Sequence, residues 1–136
     1  MTARILIVDD EPALRRTLAR ALTSHHFDVV AVADPDSAYQ MLEESSFDLV
    51  LLDLRLPQVA GGTLFLAIIR RWPRMVGRVI LMSGDPWSEE TGRPEELIAC
   101  PMLAKPFRLE TLVQTITAVL SAANGQPDLL EGNGNG

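Results

Sequence analysis

The sequence predicts an α/β domain: a parallel five-stranded sheet with about five helices laid over both of its faces. Three observations predict it. Short unbroken apolar runs, Ile5-Leu6-Ile7-Val8, Leu49-Val50-Leu51-Leu52 and Met102-Leu103-Ala104, alternate with longer stretches of helical periodicity. Continuous runs of this length mark strands buried on both faces, as strands of parallel sheets are. Each run is followed at once by a charged residue: Asp9, Asp53 and Lys105. Alternating strands and helices call for right-handed crossovers and place helices on either side of the sheet.

The elements follow in order. The first strand is expected over residues 4–8. The first helix opens at Pro12, a residue favoured at the first helical position, and Leu14, Leu18, Ala21 and Leu22 give it one apolar stripe. The second strand is expected over 29–32. Asp34-Pro35 then caps a second helix with Ala38, Met41 and Leu42 inward. The third strand covers 49–52, and a loop from Asp53 to Gly62 leads into a third helix. That helix carries Leu64, Phe65, Ile68 and Ile69 and stops before Pro73. The fourth strand is expected over 78–82, closed by Ser83-Gly84-Asp85. Gly92 and Pro94 interrupt residues 86–100, so a short or broken fourth helix is expected there. The fifth strand covers 102–104. The last helix runs from about 109 to 120, with Leu112, Val113, Ile116, Val119 and Leu120 on one stripe. From Asn124 the chain turns to Gly, Asn, Pro and Asp. The expected division is one domain over 1–122 and a flexible tail or linker over 123–136.

Composition bounds the function. A chain of 136 residues that is 47% apolar suits one domain with one core. Its net charge of -6 makes it a poor candidate for non-specific nucleic-acid or membrane binding. No run is long enough to span a bilayer, and the start lacks the pattern of a signal peptide. A soluble, cytoplasmic protein is expected, as a monomer or weak dimer. The single cysteine, Cys100, cannot form an internal disulfide, which fits a reducing compartment. In its apolar surroundings it reads as a small buried hydrophobe. His25 and His26 lie together at a helix end and read as solvated loop residues.

The chemistry is expected where the strands end. Ligands of open α/β sheets sit outside the carboxyl ends of the strands. Asp9-Asp10, Asp53 and Lys105 therefore share one rim, with Ser83 beside them. Clustered carboxylates repel one another and invite a divalent cation. Taken singly, each has a plainer account. Asp9, Asp10 and Glu11 would charge the start of the first helix. A lysine after a strand is usually solvated, and a serine before glycine is usually a turn. No plain account reaches beyond a single strand end; convergence on one rim explains all of them. Glu11 itself reads as a helix-start acid rather than a ligand.

With Pro57 and Gly61 in the loop after Asp53, and Pro106 after Lys105, this set resembles the receiver domain of two-component response regulators over roughly residues 4–120. The resemblance implies a flavodoxin-like doubly wound sheet of order 2-1-3-4-5. It implies that Asp53 is the phosphoacceptor, attacking a phosphohistidine on a sensor histidine kinase or a histidine phosphotransfer protein. It implies Mg²⁺ held by Asp10, Asp53 and the backbone carbonyl of Arg55, with Asp9 binding directly or through water. Lys105 would pair with Asp53 before transfer and with a phosphoryl oxygen afterwards, and Ser83 would hydrogen-bond another. Backbone N–H groups near Arg55 and Gly84 would complete the oxyanion cradle. The Lys105-Pro106 bond would be cis.

Some positions depart from the family's pattern. Met102 stands three residues before Lys105, where many members carry an aromatic that swings inward on phosphorylation. A loop rearrangement within 86–100 is expected to carry the signal instead. Arg55 and Asp85, each two residues after a site residue, read equally as a pair over the phosphoryl group and as two unrelated solvated side chains. Three functions compete. The first is a single-domain receiver that signals to a downstream protein target and turns over only its own phosphoryl group. The second is the regulatory part of a larger hybrid kinase or transcription factor. The third is a Mg²⁺-dependent phosphohydrolase. Haloacid-dehalogenase-type enzymes want a second Asp two positions after the nucleophile, and Arg55 stands there. No Gly-rich phosphate loop supports a GTPase.

Overall fold

Each core strand carries an unbroken apolar run of at least four residues, and side chains alternate across a sheet. Each strand therefore feeds two separate cores, and the computed structural model of the chain shows both. It describes residues 2–57, 59, 61–84 and 99–125. The strands are β1 (Arg4–Val8), β2 (Asp28–Val32), β3 (Leu49–Asp53), β4 (Val79–Ser83) and β5 (Met102–Ala104). All pair in parallel, in the order β2-β1-β3-β4-β5. Among the described residues four α-helices cover the sheet: α1 (Pro12–Ser24), α2 (Pro35–Glu44), α3 (Gly61–Arg71) and α4 (Leu109–Ala123). A short 3-10 turn, Pro73–Met75, follows α3.

On one face Leu6, Val8, Val50, Leu52 and Leu81 meet Ala38 and Leu42 of α2 and Leu64, Phe65 and Ile68 of α3. On the other, Ile5, Ile7, Leu49, Leu51, Ile80 and Met82 meet Leu18 and Leu22 of α1 and Leu112 and Ile116 of α4. Ile5 through Val8 and Leu49 through Leu52 are all wholly buried. At roughly 25 cal/mol per Å² of apolar surface removed from water, these two cores are the main force holding the sheet.

The helix ends follow local chemistry. Asp34 accepts the Ser37 N–H at 2.8 Å and its hydroxyl at 3.1 Å, with Pro35 in the first turn, as the sequence predicts. These bonds, the backbone N–H first, hold the Asp34 carboxyl below its usual pKa. His25 and His26 are exposed beyond α1. His26 takes the left-handed conformation at φ 70° and turns the chain toward β2. Arg78, just ahead of β4, reaches the far end of α4. Its guanidinium donates to the Ala123 carbonyl at 3.4 Å, to Asn124 Oδ1 at 3.1 Å and to the Asp48 carbonyl at 3.1 Å. It thereby meets acceptors that a helix end leaves unpaired.

Several boundaries differ from the expected ones. β2 starts at Asp28, and β4 runs from Val79 to Ser83, so Ser83 closes the strand rather than following it. Asp53 likewise ends β3 by pairing with Met82. α4 continues to Ala123, because Ser121, Ala122 and Ala123 break no helical rule. Cys100 is only half-buried against the α3 side of the core, short of the full burial expected. The expected broken helix lies mostly outside the described residues, as do Asp85, its pairing with Arg55 and the tail from residue 126. No helix among the described residues is long and apolar enough to cross a membrane.

Candidate functional site

Parallel pairing aligns the carboxyl ends of β1, β3, β4 and β5, and the polar residues of the site stand at those ends. Asp9 follows β1 and is wholly buried. Each of its polar groups has a partner. Its N–H donates to the Val32 carbonyl at 3.1 Å, and its own carbonyl accepts from Arg15 Nη1 at 2.8 Å. Oδ1 accepts the Glu11 N–H at 2.8 Å, and Oδ2 accepts from Lys105 Nζ at 2.9 Å. Asp10, one residue on, is exposed. Glu11 occupies the N-cap of α1 but makes no side-chain capping bond.

Asp53 closes β3 with only 3% of its surface exposed. Oδ1 accepts the Arg55 N–H at 3.0 Å, and Oδ2 lies 3.3 Å from Lys105 Nζ. Lys105 is placed by the β4–β5 pairing: its N–H donates to the Ser83 carbonyl at 2.7 Å, and its bond to Pro106 is cis, as expected. Ser83 is wholly buried at the end of β4, opposite Ala104.

Burial pushes the Asp53 carboxyl up from its usual pKa, and the charge of Asp9 adds to the push. The Arg55 N–H and the Lys105 ammonium oppose it without cancelling it. For Lys105 burial is the largest influence and pulls downward. Its bond to Asp9 and the charges of Asp53 and Asp9 together outweigh it, and the net direction is up. The buried rim thus disfavours the Asp53 charge even with an ammonium beside it. Carboxylate oxygens of Asp9, Asp10 and Asp53 lie within 4.8 Å of one another, an oxygen-only set able to hold a metal ion. Along α1, Glu11 and Lys105 also border an apolar groove of about 450 Å³, lined by Leu14, Leu18, Ala21 and Phe107.

The five side chains expected on the rim, Asp9, Asp10, Asp53, Ser83 and Lys105, all stand there. Arg55 meets Asp53 through its N–H, and its side chain is exposed. Lys105 does not pair with Asp53 alone: it bridges Asp53 and Asp9 and lies nearer Asp9. Arg15 was not foreseen. Its sequence signal is faint, a cation one turn into the helix that follows the acidic pair.

Comparison with known proteins agrees with this geometry. A family model described as the response regulator receiver domain matches residues 5–117. Regulatory protein VirG of Agrobacterium tumefaciens is 34% identical over 119 residues, covering 85% of this chain and 43% of VirG. The phosphate regulon transcriptional regulatory protein PhoB of Klebsiella pneumoniae is 34% identical over 122 residues, covering 88% of this chain and 52% of PhoB. The chain thus spans about half the length of these curated relatives. The fold matches response regulator protein TrrA from Thermotoga maritima, solved in complex with Mg²⁺-BeF. There the TM-score is 0.74 at 23% identity, over 88% of this chain and 99% of that one.

Proposed function

The chain belongs to the response regulator receiver domain family, and from that membership we propose that Asp53 accepts a phosphoryl group from a phosphohistidine on a sensor histidine kinase or a histidine phosphotransfer protein. The observation that carries the reading is the surround of Asp53: a buried strand-end carboxylate with an N–H at 3.0 Å, an ammonium at 3.3 Å and two further acids beside it. An Asp53 oxygen attacks the phosphorus. The P–N bond breaks, its electron pair passes to the imidazole, and an acyl phosphate forms. Lys105 then shifts toward a phosphoryl oxygen, and Ser83 hydrogen-bonds another. Turnover is confined to this self-phosphorylation and the slow loss of the group; the chain's task is signalling.

The donor set fits Mg²⁺. It offers only hard oxygen ligands, and Asp53 is already pushed toward its neutral form, by burial first and by the charge of Asp9 second, which a cation would oppose. Asp10 and Asp53 would hold the ion, with the Arg55 carbonyl, and Asp9 would act directly or through water. A bound Mg²⁺ would neutralise charge spread over the transferring phosphoryl oxygens. The complex of Thermotoga TrrA with Mg²⁺-BeF supports this choice of metal. The apolar groove beside Lys105 supports a protein as phosphodonor, since a small ion has no use for such a surface.

A second reading has its own support. VirG and PhoB are regulators about twice the length of the matched region. On that reading the chain is the phosphorylated part of a larger cytoplasmic regulator, with a downstream target contacted by residues beyond it. One experiment tests what both readings share. Incubation with acetyl phosphate and Mg²⁺ should add the mass of one phosphoryl group to the wild type and none to Asp53→Ala. Equal labelling of both proteins, or none of the wild type, sinks the assignment.

A further inference from the structure

We propose that Arg15 is a positioning residue for the acidic turn: by gripping the Asp9 carbonyl it aims Asp10 at the place where a divalent cation also meets Asp53. The inference rests on the metal reading above. Its starting point is a division of labour between adjacent acids. Asp9 is wholly buried with every polar group engaged, whereas Asp10 is exposed. Asp10 is the acid turned toward solvent and a ligand, and its direction follows from the backbone that carries it.

The Asp9 carbonyl belongs to the peptide unit joining Asp9 to Asp10. The six atoms of that unit, from one Cα to the next, lie in a plane. Fixing its oxygen fixes where the plane lies, and so where the Asp10 Cα stands. Arg15 Nη1 holds that oxygen at 2.8 Å. The Asp9 N–H is tied to Val32 on β2 and Oδ2 to Lys105, while the Glu11 N–H bond to Oδ1 pins the peptide on the far side of Asp10 and leaves the near one to Arg15. Arg15 is itself fixed at its base, where its N–H donates to the Glu11 carbonyl at 2.9 Å. The guanidinium therefore closes a brace from the first turns of α1 back over the loop that carries both acids.

Two roles for Arg15 predict opposite signs. As a mere charge, a cation beside the acids would oppose a second cation, so removing it would tighten metal binding. As a brace, removing it would weaken binding. Loss of a partner that orients a ligand typically lowers metal affinity by about 10–100-fold. Because the lost charge works the other way, about tenfold is expected here.

The test is calorimetric titration of Mg²⁺ into the full chain. Arg15→Met, which keeps the length of the side chain, should bind about tenfold more weakly than wild type. Its circular dichroism should be unchanged, and a purely structural role would leave the affinity of the folded protein alone. Equal or tighter binding overturns the proposal. Should Arg15→Met fail to fold, Arg15→Lys decides: it keeps the charge and loses the planar fork, so weaker binding supports the brace and equal binding overturns it. Asp10→Asn serves as the control. If wild type binds no Mg²⁺, or Asp10→Asn binds as well as wild type, the metal reading fails and this inference falls with it. If Asp10→Asn binds poorly while Arg15→Met binds normally, only the brace is lost.

Discussion

Asp53 sits in a place that disfavours its own charge. Burial, aided by Asp9, raises its folded-state pKa above the ordinary carboxylate value. Between the unfolded and folded values the native state binds more protons than the unfolded chain, so stability falls as pH rises through that window. Above it the full penalty applies. Asp53→Asn removes the penalty and leaves Lys105 its closer partner, Asp9. Without metal, the variant should melt above wild type at pH 7, and the difference should close as pH falls below the ordinary carboxylate pKa. Thermal melts across that range check this; a variant that melts lower at pH 7 would show that the Asp53–Lys105 contact outweighs the crowding. At this scale the sequence was informative about which residues gather and less so about who touches whom. Apolar runs ending in Asp9, Asp53 and Lys105 are visible as text. The preference of Lys105 for Asp9 depends on tenths of an ångström, and the Arg15 brace is a bond from a side chain to a carbonyl, which no periodicity records.

Elements were legible wherever a local rule governs them. Pro12 and Pro35 start helices, and Asp34 caps α2 through Ser37. Asp34→Ala should therefore lower stability, as loss of such a cap does, measured by urea unfolding at pH 7. Because these bonds hold the Asp34 carboxyl below its ordinary pKa, its contribution is present above the unfolded value and lost as pH falls through the folded one. A loss that persists unchanged in acid would mean that packing, not the cap, is responsible. Strand ends were read less well, because pairing with a neighbour sets them. Ser83 joins β4 through its pairing with Ala104, and Asp53 joins β3 through Met82. Arg78, which ties down the end of α4, contributes through contacts with residues 45 and 46 positions away.

For the whole molecule, the alternation of strands with helices already selected a parallel sheet. The strand order 2-1-3-4-5 came with the family resemblance, and the structure has that order. What composition alone left open is how the apolar residues divide: Leu6 and Ile7 are neighbours in the chain but serve cores on opposite faces. One sheet couples those cores, so unfolding should be a single transition. Leu51, wholly buried on a strand flanked by β1 and β4, should report this. Leu51→Ala should lower stability by about 3–5 kcal/mol without splitting the transition. Two separated unfolding steps in urea would mean that the two cores act independently.

Arg78 and Asp48 lie ahead of their strands, at the pole away from the acids, and it is there that α4 is fastened. Asn124, which closes α4, lies at that pole. Asp53 and the end of α4 stand a strand's length apart, roughly 17 Å for five residues. News of phosphorylation must either cross the sheet as a rigid displacement or leave by the near side. The far pole, where Arg78 fastens α4, is thus sheltered from the reactive end.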